Sequence, residues 1–503
     1  MDKPHTSSYS RILKSSAIVG GAEGIELLIR MVRTKVIAML LGPFGVGLIG
    51  IYQSLVELAG KLCGMGIRSS AVRQVAEADS SGNLERLGRT VRVLRFACWI
   101  TGIFGWLLTV ALARPLSVWL FGNAERAVSV AVLGGVLLLE NVSGGQTALL
   151  QGVRRIKDLA RVMIFAAAGG TLVSIALYAL LGERGIIPAL LLSSVINLGF
   201  SWFLSRRVPV MAVILAKREM FREARPLITL GLAFMWSGLL TSGVAFLTRG
   251  LIVRDLGIDA SGIYQAAWGI SGLFAGFILS AMGQDFYPRL TAVAAQNDQV
   301  NQLVNEQTEV GMLLSLPGLL ATLAFSPLVI QIFYTGKFLA ASGMLPWFVL
   351  GIVGRVIAWP IGFILLAKGC TNGFATTETV FNGLHLFFIW LGLKYFGIVG
   401  VAVAFAAAYL CYCLVVLGVA FRLSGFRWSE PAIKLICYSA SYIVAEFVIL
   451  KALSGMPAIF ASVILVSASV IYCLRQLVTR IGPDHGISRL ICSVPGVRRY
   501  FQV

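Results

Sequence analysis

Charge is the scarcest commodity in this chain. Of its 503 residues only 13% are Asp, Glu, Lys or Arg, against roughly 25% in soluble domains, which excludes an ordinary soluble globular protein. The GxxxxGK[ST] nucleotide loop is missing, so the chain by itself is not an ATP-driven pump. Its three histidines, His5, His385 and His485, are scattered, which argues against a His-built metal site. No metal, cofactor or catalytic residue is expected. The eight cysteines lie mostly within apolar segments and show no CxxC spacing, so they read as small packing residues. No cleavable signal peptide is evident, because the first apolar segment is too long and too charged for one.

Apolar residues, by contrast, make up 57% of the chain. They fall into fourteen runs of about 18 to 25 residues, each long enough to cross a bilayer as a helix. The fold class expected is all-α, a polytopic membrane protein. The net charge of +19 follows the same topology. With the N-terminus cytoplasmic, roughly 29 basic residues fall in inside loops and the C-terminal tail, and roughly 7 outside, as the positive-inside rule requires. Both termini are then cytoplasmic, and the excess charge orients the chain rather than binding nucleic acid.

An internal repeat is visible. Gly50-Ile51-Tyr52-Gln53 recurs as Gly262-Ile263-Tyr264-Gln265, and a Leu-Gly pair precedes each copy, Leu41-Gly42 and Leu256-Gly257. A charged span lies upstream of both, with Arg30, Arg33 and Lys35 in one and Arg249 and Arg254 in the other. The offset of 212 residues covers six spans, so the halves run parallel across the membrane. The expected organisation is a six-helix lobe over 1–210, an amphipathic cytoplasmic linker over 211–226, either a helix lying on the membrane surface or a basic connection that obeys topology, and a second six-helix lobe over 227–428. Two further transmembrane helices over 429–475 and a basic tail over 476–503 complete the chain. The two lobes would form helical bundles related by a pseudo-twofold repeat around a central cavity.

Ionisable side chains inside spans mark function, because each costs several kcal/mol if it faces lipid. The first span carries Glu23, Glu26, Arg30 and Arg33, which at about 100° per residue fall within roughly an 80° arc. Glu23 or Glu26 can reach Arg30, whereas Arg33 lies about 10 Å beyond Glu26 along the axis and has no acid within a turn on its own face. An unpaired guanidinium there invites an anion, and suits phosphate bidentately. Arg249 and Arg355 are the related candidates in later spans, with Gln53 and Gln265 as polar companions. Gln53, Glu57 and Lys61 share one face of the second span at i, i+4 and i+8, where Glu57 and Lys61 are placed to pair. Glu23, Glu26, Glu57, Lys61, Glu140 and Glu378 form a candidate set for ion coupling or cavity lining. A packing role for hydrogen-bonded carboxyls such as Glu140 and Glu378 is the competing reading.

The segment Leu41-Gly42-Pro43-Phe44-Gly45-Val46-Gly47, followed by Tyr52-Gln53 and by Gly64-Met65-Gly66-Ile67 running into a basic loop, resembles the bacterial polysaccharide flippases. These are the O-antigen (Wzx-type) branch of the multidrug/oligosaccharidyl-lipid/polysaccharide exporter superfamily. The resemblance implies alternating access in the bacterial inner membrane, moving an undecaprenyl-pyrophosphate-linked oligosaccharide from the cytoplasmic to the periplasmic leaflet during O-antigen or other lipopolysaccharide and surface-polysaccharide biosynthesis. It also implies that Arg30, Arg33 and Arg249 hold the pyrophosphate. Membrane lipids, a polysaccharide polymerase and a chain-length regulator are the implied partners. The chain departs from the branch in having fourteen spans rather than twelve, a number typical of lipid II flippases, which makes lipid II the rival substrate. A drug/cation antiporter is disfavoured by the mixed-to-basic candidate cavity, and a membrane-bound glycan polymerase by the shortness of every outside loop.

Overall fold

A computed structural model describes residues 5–213 and 215–481; the tail beyond them, including most of 476–503, lies outside the described residues. Among the described residues the chain is helical and contains no strand. The helices are α1 (His5–Gly64), α2 (Ile67–Ser80), α3 (Leu84–Ala111), α4 (Ala113–Phe121), α5 (Ala127–Gly152), α6 (Ile156–Leu181), α7 (Ile186–Ser205) and α8 (Lys217–Leu256). They continue with α9 (Ile258–Ala292), α10 (Asn297–Ala324), α11 (Ser326–Phe333), α12 (Leu345–Ala367), α13 (Thr371–Ser424), α14 (Glu430–Ala452) and α15 (Met456–Ile481). Absence of sheet is what a lipid solvent dictates, since a helix satisfies every backbone polar group within itself.

Among the described residues nine helical stretches are long and apolar enough to span, and three are double length: Gly21–Gly64 with 44 residues, Ile156–Ser205 with 50 and Thr371–Ser424 with 54. Each of the three breaks at a glycine of positive φ, Gly42 (62°), Gly182 (56°) and Gly397 (57°). About twenty residues suffice for one crossing, so each stretch is two spans joined by a tight turn. The bent α10–α11 pair, turned by 88°, and the 35-residue α9 supply the remaining membrane-length arms of the fourteen expected.

Contacts gather the chain into two compact units, Met1–Gly262 with Phe333–Thr335, and Ile263–Ile332 with Gly336–Val503. Chain order had placed α8 with the second lobe, whereas by contact it sits in the first unit. Ser242 of α8 donates to Glu57 of α1 at 2.9 Å, and the backbones of Gly66 and Gly231 touch without room for a Cβ on either.

The linker also differs from expectation. Residues 208–213 and 215–216 are not helical, and the helix that starts at Lys217 runs on continuously into the next span. Val208, Leu215, Met220 and Ala224 are buried against Ile67, Ala71, Val75, Leu87 and Val91 of α2 and α3. The linker therefore buries its apolar side chains against the protein rather than in the membrane surface. Burial against a ready-made apolar face outcompetes a separate surface helix, and Pro209 cannot donate a backbone hydrogen bond to one.

In the second unit, Val300 and Val304 of α10 pack with Ile361, Ile364 and Leu365 of α12 and Val416 and Ala420 of α13. The helices α14 and α15 dock on α10 through a polar clamp that the sequence did not reveal. Glu309 accepts from Arg480 Nε at 2.7 Å and from Ser429 Oγ at 3.2 Å, and Arg480 Nη1 also donates to Gln476 Oε1 at 2.6 Å. Glu309 and Arg480 are 171 positions apart, so no local spacing rule finds them.

Candidate functional site

The first unit holds most of the candidate groups. On the first arm of α1, Arg30 Nη2 pairs with Glu26 Oε1 at 2.5 Å, one helical turn away. Glu23 is exposed. Arg33 is half-buried and acts electrostatically on the buried Tyr178 of α6, whose hydroxyl has no hydrogen-bond partner of sound geometry. Among the described residues Arg33 has no carboxylate partner. A guanidinium with spare donors is thus held between span-length helices.

On the second arm of α1, Gln53, Glu57 and Lys61 are all exposed along one face, while Tyr52, Ser54, Leu55 and Val56 beside them are buried. Exposed polar groups in the middle of a spanning segment are costly if they face hydrocarbon. The expected Glu57–Lys61 pair does not form. Glu57 instead accepts from Ser242 across to α8, and the Lys61 side chain lies along α8 beside Gly238, where the missing side chain leaves it room. Glu57 thus finds its partner on the neighbouring helix, a contact that ties α8 to the second arm of α1. Glu140 of α5 meets the same group. It feels Glu57 of α1 and Arg68 of α2 and keeps exposed surface. The next residue, Asn141, ties α5 to α3 by donating to Thr101 Oγ1 at 2.8 Å.

Arg249 of α8 is buried at 8% exposure. Its Nη1 donates to the Ala245 carbonyl one turn earlier at 3.0 Å, and it makes further contacts besides.

The second unit carries the other candidates. Glu378 of α13 accepts from the Tyr412 hydroxyl at 3.3 Å, and its backbone carbonyl accepts from Asn382. Arg355 of α12 is half-buried and interacts electrostatically with Tyr409. Gln265 of α9 is half-buried and has partners of its own. His385 lies between Phe381 and Phe405, with ring centroids 5.8 and 5.7 Å away, in an aromatic setting that explains it as a packing residue. Reasoning from sequence missed Arg68, Tyr178 and Ser242. The only signal any of them carried was the i, i+4 spacing of Gly238 and Ser242 on α8, matching that of Lys61 and Glu57. Among the described residues no cluster of His, Cys, Asp or Glu is placed to hold a metal ion.

Paired helical arms broken at glycine, with charged groups held within span-length helices, define a polytopic helical membrane protein. The solved structures agree. The lipid II flippase MurJ in its inward closed conformation superposes with a TM-score of 0.65 at 14% identity, over 93% of this chain and 99% of that one. An inward-facing multidrug resistance MATE family transporter of the MOP superfamily superposes with a TM-score of 0.62 at 16% identity, over 80% of this chain and 95% of that one. Within that class, residues 36–343 match the model of the polysaccharide biosynthesis protein family, and the chain belongs to that family. Among curated proteins it is 27% identical over 419 residues to the lipid III flippase of Escherichia coli (strain K12), covering 76% of this chain and 92% of the relative. The same figures hold for the lipid III flippase of Shigella flexneri.

Proposed function

We propose that this protein is a flippase for a lipid-linked polysaccharide precursor, an oligosaccharide on undecaprenyl pyrophosphate carried from the cytoplasmic to the periplasmic leaflet. The observation that carries the reading is a pair of guanidinium groups, Arg33 and Arg249, held within span-length helices of a chain of this family. A diphosphate and its sugars cannot cross hydrocarbon unaided, while a prenyl tail can remain in lipid. Guanidinium groups offer the diphosphate charge-assisted hydrogen bonds that replace its water. The polar face formed by Gln53, Glu57, Lys61 and Glu140 offers donors and acceptors for sugar hydroxyls. Proton or cation counter-movement through Glu23, Glu26 or Glu57 is one source of energy for the cycle, and removal of the product is the other. The cycle would run by alternating access, with both termini cytoplasmic in the inner membrane. A polymerase and a chain-length regulator would receive the product. O-antigen repeat units are the substrate the sequence resemblance favours, and the relatives named for lipid III support a polysaccharide precursor in general.

A second reading, flipping of lipid II, is favoured by one observation: the lipid II flippase superposes over 93% of this chain, more than the 80% covered by the MATE transporter. The two readings part in vesicles containing the purified protein. A labelled undecaprenyl-pyrophosphate glycan should appear on the far face, with lipid II run in parallel left behind. The opposite preference would install the second reading, and movement of neither would refute both.

A further inference from the structure

A second basic site lies away from the transport candidates, where α3 and α7 meet beside the basic loops. Arg95 of α3 and Arg206, just past the end of α7, both stand over the indole of Trp202, with guanidinium carbons 5.3 and 5.9 Å from its centroid. The two cations repel each other. Among the described residues neither has a carboxylate partner. Arg95 donates from Nε and Nη2 to Gln146 Oε1, each at 3.3 Å, and Ser205 Oγ donates to the same oxygen at 2.9 Å. One buried amide oxygen with two lone pairs is serving three donors, so Arg95 is under-coordinated and keeps N–H groups free. The nearby acids are already committed: Asp158 to Arg155 and Arg161 at 2.7 and 3.1 Å, and Glu85 and Glu223 to Arg89 at 3.9 and 3.8 Å.

Depth identifies the missing partner. Along α7 the exposed side chains Leu192, Val195 and Phe203 are apolar, a surface made for acyl chains. It ends within a turn of Trp202, Arg206 and Arg207, the last of which covers Phe203 at 5.0 Å. A tryptophan flanked by arginines at the end of a lipid-facing helix marks the headgroup level. Two like charges gathered on one ring without an acid are costly in isolation, and an anion between them reverses the sign.

We propose that Arg95 and Arg206, framed by Trp202, bind the phosphate of an anionic phospholipid in the leaflet beside the basic loops, bridging α3 to α7. The positive-inside rule explains why arginines stand on this side. It does not explain why two of them converge on one indole with no carboxylate between them. This site is independent of the flippase reading, because it takes a resident lipid and contains none of the transport candidates.

The test is native mass spectrometry of the purified protein with phosphatidylglycerol titrated against phosphatidylcholine, with inorganic phosphate as a separate arm. Arg95→Gln/Arg206→Gln should weaken phosphatidylglycerol retention about tenfold, whereas Arg222→Gln, an exposed linker arginine outside the site, should leave it unchanged. Arg95→Lys/Arg206→Lys should restore only part of the retention, because an ammonium cannot bind phosphate in two-point fashion. If the double variant does not fold, Arg206→Gln alone, at an exposed position, should still lower retention. Unchanged phosphatidylglycerol retention in a folded variant would overturn the proposal. So would equal binding of phosphatidylcholine, or binding of inorganic phosphate as tight as that of phosphatidylglycerol.

Discussion

The two Gly-Ile-Tyr-Gln segments begin alike and end differently. Each follows a Leu-Gly pair, and both glycines take positive φ with extended ψ: Gly42 at 62° and −165°, Gly257 at 90° and 172°. Side chains other than hydrogen are almost barred from that region, which gives the shared Leu-Gly a physical reason: it turns the chain between two spans. Both tyrosines are buried, Tyr52 against Phe121 at 6.2 Å and Tyr264 against Trp268 and Phe348 at 6.2 Å each. Beyond the glutamine the copies diverge. The first continues into Glu57 and Lys61, and the positions 212 residues later are Gly269 and Leu273. A common turn and a common anchor have been kept, while the polar face was built on one copy only.

The largest effect expected from probing this asymmetry is on transport. Arg249→Ala should lower flipping by about 10- to 100-fold, the loss of one or two charge-assisted hydrogen bonds, with insertion into the membrane unchanged. Arg33→Ala should do the same. Arg355→Ala, in the aromatic surroundings of the second unit, should cost less than either. Vesicle flipping at matched protein levels measures all three, and equal losses at Arg249 and Arg355 would erase the asymmetry.

Next come the turns. Gly42→Ala and Gly257→Ala should each destabilise the fold by about 1–3 kcal/mol, lowering the thermal midpoint of the detergent-solubilised protein. The two losses should be similar, because the backbone conformations are. A much smaller loss at Gly257 would show that the shared pair has only one structural meaning.

The cross-helix bond is worth less. Ser242→Ala should cost about 1 kcal/mol and loosen α8 from the second arm of α1, and Glu57→Gln should retain most of that contact. Thermal shift reports the first, and the double variant Glu57→Gln/Ser242→Ala tests whether the two changes share one interaction.

The smallest change is Tyr52→Phe. The Tyr52 hydroxyl is buried without a partner, so removing it should leave stability unchanged or raise it by up to about 1 kcal/mol, while the ring contact with Phe121 persists.

Much of this was legible in one dimension. Apolar length gave the spans, because the thickness of a bilayer sets how long an apolar helix must be. Spacing along a helix gave the Glu26–Arg30 pair and the Gln53–Glu57–Lys61 face, because a helix converts sequence distance directly into angle. The same rule allowed Glu57 and Lys61 to pair, which they do not, since periodicity shows which groups share a face but not what stands opposite. It also read the linker's apolar residues as lipid-seeking, when α2 and α3 offered them a drier surface.

What the sequence determined alone is therefore local: helices, their breaks at glycine, their lengths, and which charges fall within spans. What the tertiary structure decided is every choice of partner. Ser242 for Glu57, Arg480 for Glu309 and Trp202 for Arg95 could be chosen only once separate helices had met. The energy of a buried polar group depends on what lies within a few ångströms in space, and chain distance does not encode that.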